Sequence, residues 1–379
     1  MALQTDVMSL LALADLSIAK GDYPRALSIL RDALDMAEKT APGDTKQRLD
    51  IQMKLVEVNH VTGQWVDALM HLDNVLRTAS EKHMVNVMGE ALVTSGSILS
   101  KKGNWDLAQR KFDQAIELLG MRQRHPLMAK ALIGKGVILW RKGMGSEAVQ
   151  NARRAIEIAE EMAEDAILGA GYALMGSASF DMGNYVKSVQ YNEEALRHYR
   201  KAGDIIEATR VLNNTGETHK VMGNYSKAIE FFNEGLHLTT GKGVRRNMAY
   251  LLANLAECHM REGRNLEART FATMSEDNAR DIQDEYLHAM IRFVWGLIFE
   301  REGDFGRAGE NYMAAILKMF TLGIPFDIGL MEMAYAECLL KQSKTEEARA
   351  HMADAARSLR AAGSVQLAEQ AEAKLAKIS

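Results

Sequence analysis

Few residues of this 379-residue chain are spaced in a way that could support chemistry. The sequence contains no HExxH, CxxC, Walker or G-x-S-x-G motif. Two Gly-Lys-Gly segments, at 134–136 and 241–243, have the composition of a phosphate-binding loop, but no predicted strand precedes either of them. We therefore predict that the protein is not an enzyme and that it has no cofactor and no metal site.

Two cysteines and two histidines remain as candidates for a disulfide, a metal site or a pH-sensing group. Cys258 and Cys338 occupy the same position in two units of a sequence repeat, with one unit between them. Helix layers stack about 8–10 Å apart, whereas a disulfide needs Cα atoms within about 7 Å, so two buried thiols are predicted. His219 and His259 also share one repeat position. We favour packed, hydrogen-bonded core histidines there over a metal-binding or pH-sensing role.

The elements that position these residues follow a period of about 40 residues. One interval of 42 residues and then six of 40 separate the turn glycines, which are Gly21, Gly63, Gly103, Gly143, Gly183, Gly223, Gly263 and Gly303. A ninth turn is predicted at Ser343, where the glycine is lost. The period therefore predicts nine units.

Each unit is predicted to contain two helices that cross closely. A small residue such as Gly216 lies seven positions before most of the turns, and another such as Ala228 lies five positions after them. Glycine inside a helix costs about 1 kcal/mol relative to alanine, so its recurrence at one position indicates the close approach of another helix. The abundance of helix-forming residues and the low aromatic content of 6% also favour an all-α fold.

This spacing of glycine and alanine around a helix-turn-helix resembles the tetratricopeptide repeat in a 40-residue form, most clearly between Ile206 and Phe232. It is similar to the repeats of spindle-orientation adaptors, of maltose-type transcription activators and of response-regulator aspartate phosphatases. The resemblance implies a right-handed α-α superhelix with a C-terminal capping helix at 364–378. One domain over residues 1–379 is predicted, with repeats at 5–40, 44–81, 84–121, 124–162, 164–202, 204–242, 244–282, 284–322 and 326–362.

The composition argues against several classes of partner. The 46 Lys and Arg residues are balanced by 50 Asp and Glu residues, a net charge of −4 that gives no basic surface for nucleic acid. No apolar run approaches the roughly 18 residues of a membrane span, so no membrane insertion is predicted. Two cysteines are too few for a disulfide framework, and we expect a cytoplasmic protein. Self-association is compatible with the sequence.

The first helix of each unit should line a concave face, as in other helical solenoids. Positions 13, 10, 6 and 3 before each turn glycine fall on one helix face. This stripe and its edge give the candidate groove residues Trp140, Arg210, Asn213, Asn214, Glu217, Tyr250, Asn254, Glu257, Met290, Phe293, Leu297 and Met333. The Arg and Asn side chains could bind the backbone of a partner segment, and the apolar ones could take its side chains. Equally, Phe293 and Met333 could pack between neighbouring helices.

Two functions are compatible with this pattern. The first is a non-catalytic scaffold or adaptor that binds a peptide or helix of a partner protein in its groove. The alternative is a regulatory or sensor domain that responds to a peptide or small ligand and acts on a separate effector chain. The Lys, Asn and Arg set that chaperone-binding repeats place on three successive units is absent from this sequence, so chaperone tails are not expected as partners.

Overall fold

A computed structural model describes residues 6–120, 125–241 and 244–378, and these residues form nineteen α-helices and no β-strand. The helices are α1 Val7–Ala19, α2 Tyr23–Thr40, α3 Thr45–Val61, α4 Trp65–Glu81, α5 Val85–Lys101, α6 Trp105–Leu119, α7 Pro126–Arg141, α8 Gly145–Met162, α9 Asp165–Asp181, α10 Tyr185–Ala202, α11 Ile205–Val221, α12 Tyr225–Thr239, α13 Arg245–Arg261, α14 Asn265–Ala279, α15 Glu285–Arg301, α16 Phe305–Leu322, α17 Pro325–Lys341, α18 Thr345–Ala361 and α19 Val365–Leu375. The predicted all-α fold of nine helix pairs followed by a terminal helix is confirmed. The repeat boundaries predicted at residues 5, 121, 124 and 242 lie outside the described residues.

The turn within each pair ends the first helix with a residue in the left-handed conformation. All eight predicted turn glycines have φ between 74° and 80°, where a residue without a Cβ is favoured. Ser343 takes the same conformation, with φ 60°, at the ninth turn. Asp22, Asp204 and Asp304 follow a turn or an inter-unit loop and accept a hydrogen bond from a backbone N–H in the first turn of the next helix.

The small residues inside the first helices make room for large side chains of the second helices. A Cβ on Gly216 would lie 2.4 Å from the ring of Phe232, and one on Gly96 would lie 2.8 Å from Phe112. A Cβ on Gly296 would lie 2.8 Å from Tyr312. The close crossing predicted from the sequence is therefore a contact of a ring with the opposite helix backbone.

The chain divides into two compact units, residues 1–167 and residues 168–379. In the first unit, apolar faces of consecutive helices bury side chains such as Leu30, Leu72 and Phe112. In the second unit, α15 packs against α16 and α17, so that Phe293, Tyr312 and Met331 belong to one core. That residues 1–379 form a single domain stays a prediction.

The cysteines and the two repeated histidines lie in the core of the second unit. Cys258 and Cys338 are free and buried, as predicted. His219 stacks on Phe231 at 5.3 Å, and His259 stacks on Phe271 at 5.1 Å between ring centroids. The predicted hydrogen bonding is wrong at the Nδ1 atom of each ring, because both atoms are buried and have no hydrogen-bond partner in the part of the chain that the structure describes. Ring stacking, rather than a polar contact at Nδ1, therefore accompanies the burial of these side chains.

Helix α19 covers the end of the second unit. Ala368 and Ala371 are fully buried in a cluster with Leu359 and Met352 of α18. The guanidinium of Arg360 donates two hydrogen bonds of 2.8 Å to Glu372 at the edge of this contact. Among the helices of the described residues, none is long and apolar enough to cross a membrane.

Candidate functional site

Two pockets lie on the first helices of the second unit. The one we name the amide pocket has a volume of about 290 Å³ and is lined by Thr209, Arg210, Asn213, Asn214, Glu217, Arg246, Asn247, Tyr250 and Tyr286. The one we name the methionine pocket has a volume of about 230 Å³. Its apolar residues are Val221, Met290, Phe293, Val294, Leu330, Met331, Met333, Ala334 and Leu367. Its polar and charged residues are Lys220, Tyr225, Glu257, Arg261, Asp327, Glu337 and Lys374.

Helix geometry explains how α11 supplies five side chains to the amide pocket. Residues three and four apart lie on the same helix face, so Arg210, Asn213, Asn214 and Glu217 point in one direction. The Arg210 side chain is 61% exposed, and its guanidinium pairs with Glu207 at 2.6 Å on the same helix. The pocket therefore presents amide groups and an accessible guanidinium to solvent.

On α13, the side chains of Arg246 and Tyr250 are held by Asp284, the N-cap residue of α15. Asp284 caps α15 by accepting a hydrogen bond from the backbone N–H of Leu287. The other carboxylate oxygen of Asp284 accepts 2.7 Å and 2.8 Å hydrogen bonds from Arg246 Nε and from the Tyr250 hydroxyl. Burial opposes ionisation of Asp284, but these hydrogen bonds outweigh it and lower its pKa. The carboxylate of Asp284 thus fixes the positions of Arg246 and Tyr250 in the wall of the amide pocket.

A buried polar chain joins the two pockets. The Asn254 amide donates hydrogen bonds of 3.0 Å to Asn213 and 3.2 Å to Glu217, and its oxygen accepts one of 2.8 Å from Lys220. Lys220 also pairs with Glu257 at 2.6 Å. Burial alone would lower the pKa of Lys220, but the carboxylates of Glu257 and Glu217 raise it, so the lysine stays charged. This series of hydrogen bonds fixes the positions of side chains from α11 and α13.

Asp327 lies where the pockets meet. Its carboxylate lines the methionine pocket and accepts a 3.1 Å hydrogen bond from the hydroxyl of Tyr286, which lines the amide pocket. Burial, together with the negative charge of Glu217, raises the pKa of Asp327 to about 7. This carboxyl group therefore changes its charge near neutral pH.

One aromatic contact joins the first and last of these helices. Phe180 of α9 packs edge-on against Phe326 of α17, with ring centroids 5.5 Å apart. Phe180 lies three residues before its turn glycine, as Lys220 does, and therefore belongs to the stripe that lines the concave face. With the packing of α9 side chains against α10 and α11 and the contacts of α11 with α13, α13 with α15 and α15 with α17, this pair completes what we name the circuit of first helices.

Sequence profiles of the tetratricopeptide repeat match residues 9–43 and 94–163. The chain contains tetratricopeptide repeats. None of the curated proteins matches this repeat protein in sequence. The predicted likeness to spindle-orientation adaptors and maltose-type activators stays a prediction.

Solved structures share the fold of this repeat protein at low sequence identity. The Rap conjugation gene regulator of plasmid pLS20, in complex with the Phr peptide, superposes with a TM-score of 0.59 at 15% identity, over 98% of this chain and 96% of that one. Aspartyl phosphate phosphatase F from Bacillus subtilis gives 0.54 at 13% identity, over 100% and 95% of the two chains. A tetratricopeptide repeat protein from Parabacteroides merdae gives 0.52 at 14% identity, over 76% and 98%.

The repeat protein brings nine of the twelve predicted groove residues to the two pockets. Those in the amide pocket are Arg210, Asn213, Asn214, Glu217 and Tyr250, and those in the methionine pocket are Glu257, Met290, Phe293 and Met333. Asn254 is fully buried between them. Leu297 is 8% exposed and packs in the core, and Trp140, in the first unit, lies beside the Arg141 guanidinium at 5.4 Å.

Two lining residues of the amide pocket were missed because the predicted stripe was one turn too short. Arg246 and Tyr286 each lie four residues before a stripe position, on the first turn of their helix. Extending the same 3.6-residue period toward each helix start would have found them. Leu367 and Lys374 had no such signal, because α19 is not part of a helix pair.

Proposed function

We propose that this protein is a non-catalytic interaction module that binds an extended peptide segment of a partner in the amide and methionine pockets. The observation that carries the proposal is the set of amide and guanidinium groups in the amide pocket. Each peptide unit of an extended segment offers one N–H donor and one C=O acceptor, and an Asn amide matches both. Asn213, Asn214 and Asn247 therefore suit an unfolded backbone.

The dimensions of the pockets favour an extended segment over a helix. A helix with its side chains is about 10–12 Å wide and satisfies its own backbone hydrogen bonds. Pockets of about 290 Å³ and 230 Å³ hold a few side chains each. The Rap regulator that shares the fold is described as a complex with a Phr peptide, which supports the proposal at the level of fold.

A regulatory role is the second candidate, because an aromatic pair joins the two ends of the circuit of first helices. Phe180 and Phe326 come from helices at opposite ends of the second unit. A ligand that binds between these helices and favours either the closed or the open arrangement would change their separation. Such a change would be read by a separate effector chain.

Peptide selection from a random 12-residue phage library on the full-length protein tests the proposal. The test variant is Arg210→Ala with Asn214→Ala, since both side chains line the amide pocket. The control is Arg280→Ala with Asn233→Ala, because Arg280 is an exposed arginine with the same i,i+3 pairing to an acid as Arg210. Phe293 is left unchanged because it is 6% exposed and belongs to the core.

We expect the selected peptides to bind the test variant at least about 10-fold more weakly, since each hydrogen bond to a charged group contributes about 1.5–3 kcal/mol. The control variant should bind as the wild type does. Failure to select any peptide, or equal binding by the test variant, would contradict the proposal.

A further inference from the structure

The carboxylates that line the two pockets fall into two groups. Glu257 pairs with Lys220, and Glu337 pairs with Lys374 of α19. Glu217 and Asp327 have no basic group within 4 Å among the residues that the structure describes, and their polar contacts are the Asn254 amide and the Tyr286 hydroxyl. Two acidic groups of the pockets are therefore available to a cation.

The charges around Asp327 leave an excess of negative charge. The charged and titratable groups that influence it are Glu217 and Lys220 of α11, Glu257 of α13 and Tyr286 of α15. Arg261 lies beside Glu257 at 3.6 Å. Lys220 and Arg261 both pair with Glu257, and the charge of Lys220 only partly offsets those of Glu217 and Asp327. A cation at this point would relieve a repulsion that is already present in the free protein.

The surface next to these carboxylates is apolar. Met290, Phe293 and Met333 lie in the same pocket as Asp327, and methionine side chains adapt to ligands of different shape. Lysine and arginine side chains have long aliphatic stems that bury well against apolar surface while the charged end stays polar. The apolar wall of the methionine pocket, which leads to the carboxylate of Asp327, is therefore complementary to a lysine or arginine side chain.

We propose that the bound peptide carries a lysine or arginine whose aliphatic stem lies along the methionine pocket and whose cationic group sits between Glu217 and Asp327. This assignment rests on the peptide-binding function proposed above. The group that occupies the site is then a basic side chain of an extended peptide. A wholly acidic or wholly apolar peptide would leave both carboxylates without a counter-charge.

Ligand binding should then release a proton. Since the pKa of Asp327 in the free protein is about 7, about half of the molecules carry that proton at pH 7. A cation beside the carboxylate favours the ionised form and lowers the pKa. Affinity should therefore rise as pH increases from 6 to 8, and the gain should level off above the pKa of the free protein.

The experiment uses the strongest peptide from the phage selection and a synthetic copy in which each basic residue in turn becomes norleucine. The test variant is Glu217→Gln with Asp327→Asn, which keeps the shape of both side chains. The control is Glu230→Gln with Glu310→Gln, two exposed acids on the second helices α12 and α16 that line neither pocket. Calorimetry at pH 6, 7 and 8, in buffers of different ionisation enthalpy, gives the affinities and the protons released.

We expect one norleucine replacement to weaken binding to the wild type and to the control by at least about 10-fold, and binding to the test variant by less than about 2-fold. Proton release at pH 7 should disappear in the test variant. Selected peptides without a basic residue, or norleucine copies that bind equally well, would overturn the basic-residue assignment while peptide binding stands. Selection of no peptide at all would overturn both proposals.

Discussion

The ammonium group of Lys220 lies 2.6 Å from a carboxylate oxygen of Glu257, and the two side chains are only 15% and 12% exposed. Glu257 lines the methionine pocket, and Lys220 holds Asn254, which in turn holds Asn213 of the amide pocket. One ion pair thus links the side chains of both pockets. Its loss should be felt in stability and in ligand binding.

Replacing only one member of this pair should be costly. We expect Lys220→Met to lower the free energy of unfolding by about 3 kcal/mol, because among the described residues Glu257 then keeps only the more distant and partly exposed Arg261 as a counter-charge. The double variant Lys220→Met with Glu257→Leu should recover to within about 1 kcal/mol of the wild type. Urea unfolding followed by circular dichroism measures both. A matched change in the exposed pair of Lys39 with Asp35, Lys39→Met, should leave the free energy of unfolding unchanged.

The ring that occupies the space over Gly216 gives a second prediction. Gly216→Ala should destabilise the protein by about 1–3 kcal/mol, because its Cβ would lie 2.4 Å from the Phe232 ring. Adding Phe232→Leu should return part of that loss. Gly306→Ala is the control, since its Cβ would have no atom closer than 3.7 Å, and it should gain up to about 1 kcal/mol in helix propensity. Equal effects of the two alanines in thermal unfolding would contradict the packing argument.

From the two stacked histidines we predict that the free energy of unfolding decreases at acidic pH. Burial lowers the pKa of His219 and His259 below 6.5, so the unfolded chain binds protons at a higher pH than the folded one. Their contribution is complete above pH 6.5 and is lost as pH falls through that value, at a rate of up to about 1.4 kcal/mol per pH unit for each histidine. His219→Phe with His259→Phe should reduce this loss between pH 7 and pH 5.

The comparison needs an exposed histidine as its reference. His237 is exposed on α12, so His237→Phe should leave the slope of stability against pH unchanged. Asp327 acts in the opposite direction, since its raised pKa makes its ionisation cost stability as pH rises from 3.8 to about 7. The difference between each variant and the wild type isolates the histidines, and equal slopes in all three proteins would refute the prediction.

The contact between Phe180 and Phe326 should protect the start of α17. We expect Phe180→Ala to cost about 1 kcal/mol and to speed amide hydrogen exchange in the first turns of α17, because an aromatic pair contributes about 0.5–1.5 kcal/mol beyond its buried area. Phe326→Ala should have the same effect, and the double variant should add little. Phe320→Ala, an exposed phenylalanine of α16, is the control and should leave exchange in α17 unchanged.

Much of the fold was predictable because each helix pair repeats one local pattern. The turn glycines, and the small residues that face Phe112 and Phe232, are properties of single units and can be read along the sequence. The stripe that located Arg210 and Asn213 depends only on the helical period. These features need no knowledge of distant contacts.

The features that the sequence did not predict depend on the accumulated geometry of several units. Asp327 responds to the charge of Glu217, which belongs to a unit three repeats earlier, and no local pattern indicates that the two are near. The contact of Phe180 with Phe326 requires the rotation of four successive helix pairs to bring their helices together. Such distances follow from small angles at each helix crossing, and the sequence period does not specify those angles.

The aromatic pair also bears on the rates of binding. A peptide with a free end would enter along the axis of the circuit, whereas a loop with folded domains on both sides would have to wait until Phe180 and Phe326 separate. The association rate of such a partner would then be limited by one unimolecular opening event, whatever its affinity. Free peptides and internal loops of the same sequence would differ in how fast they bind and how long they stay.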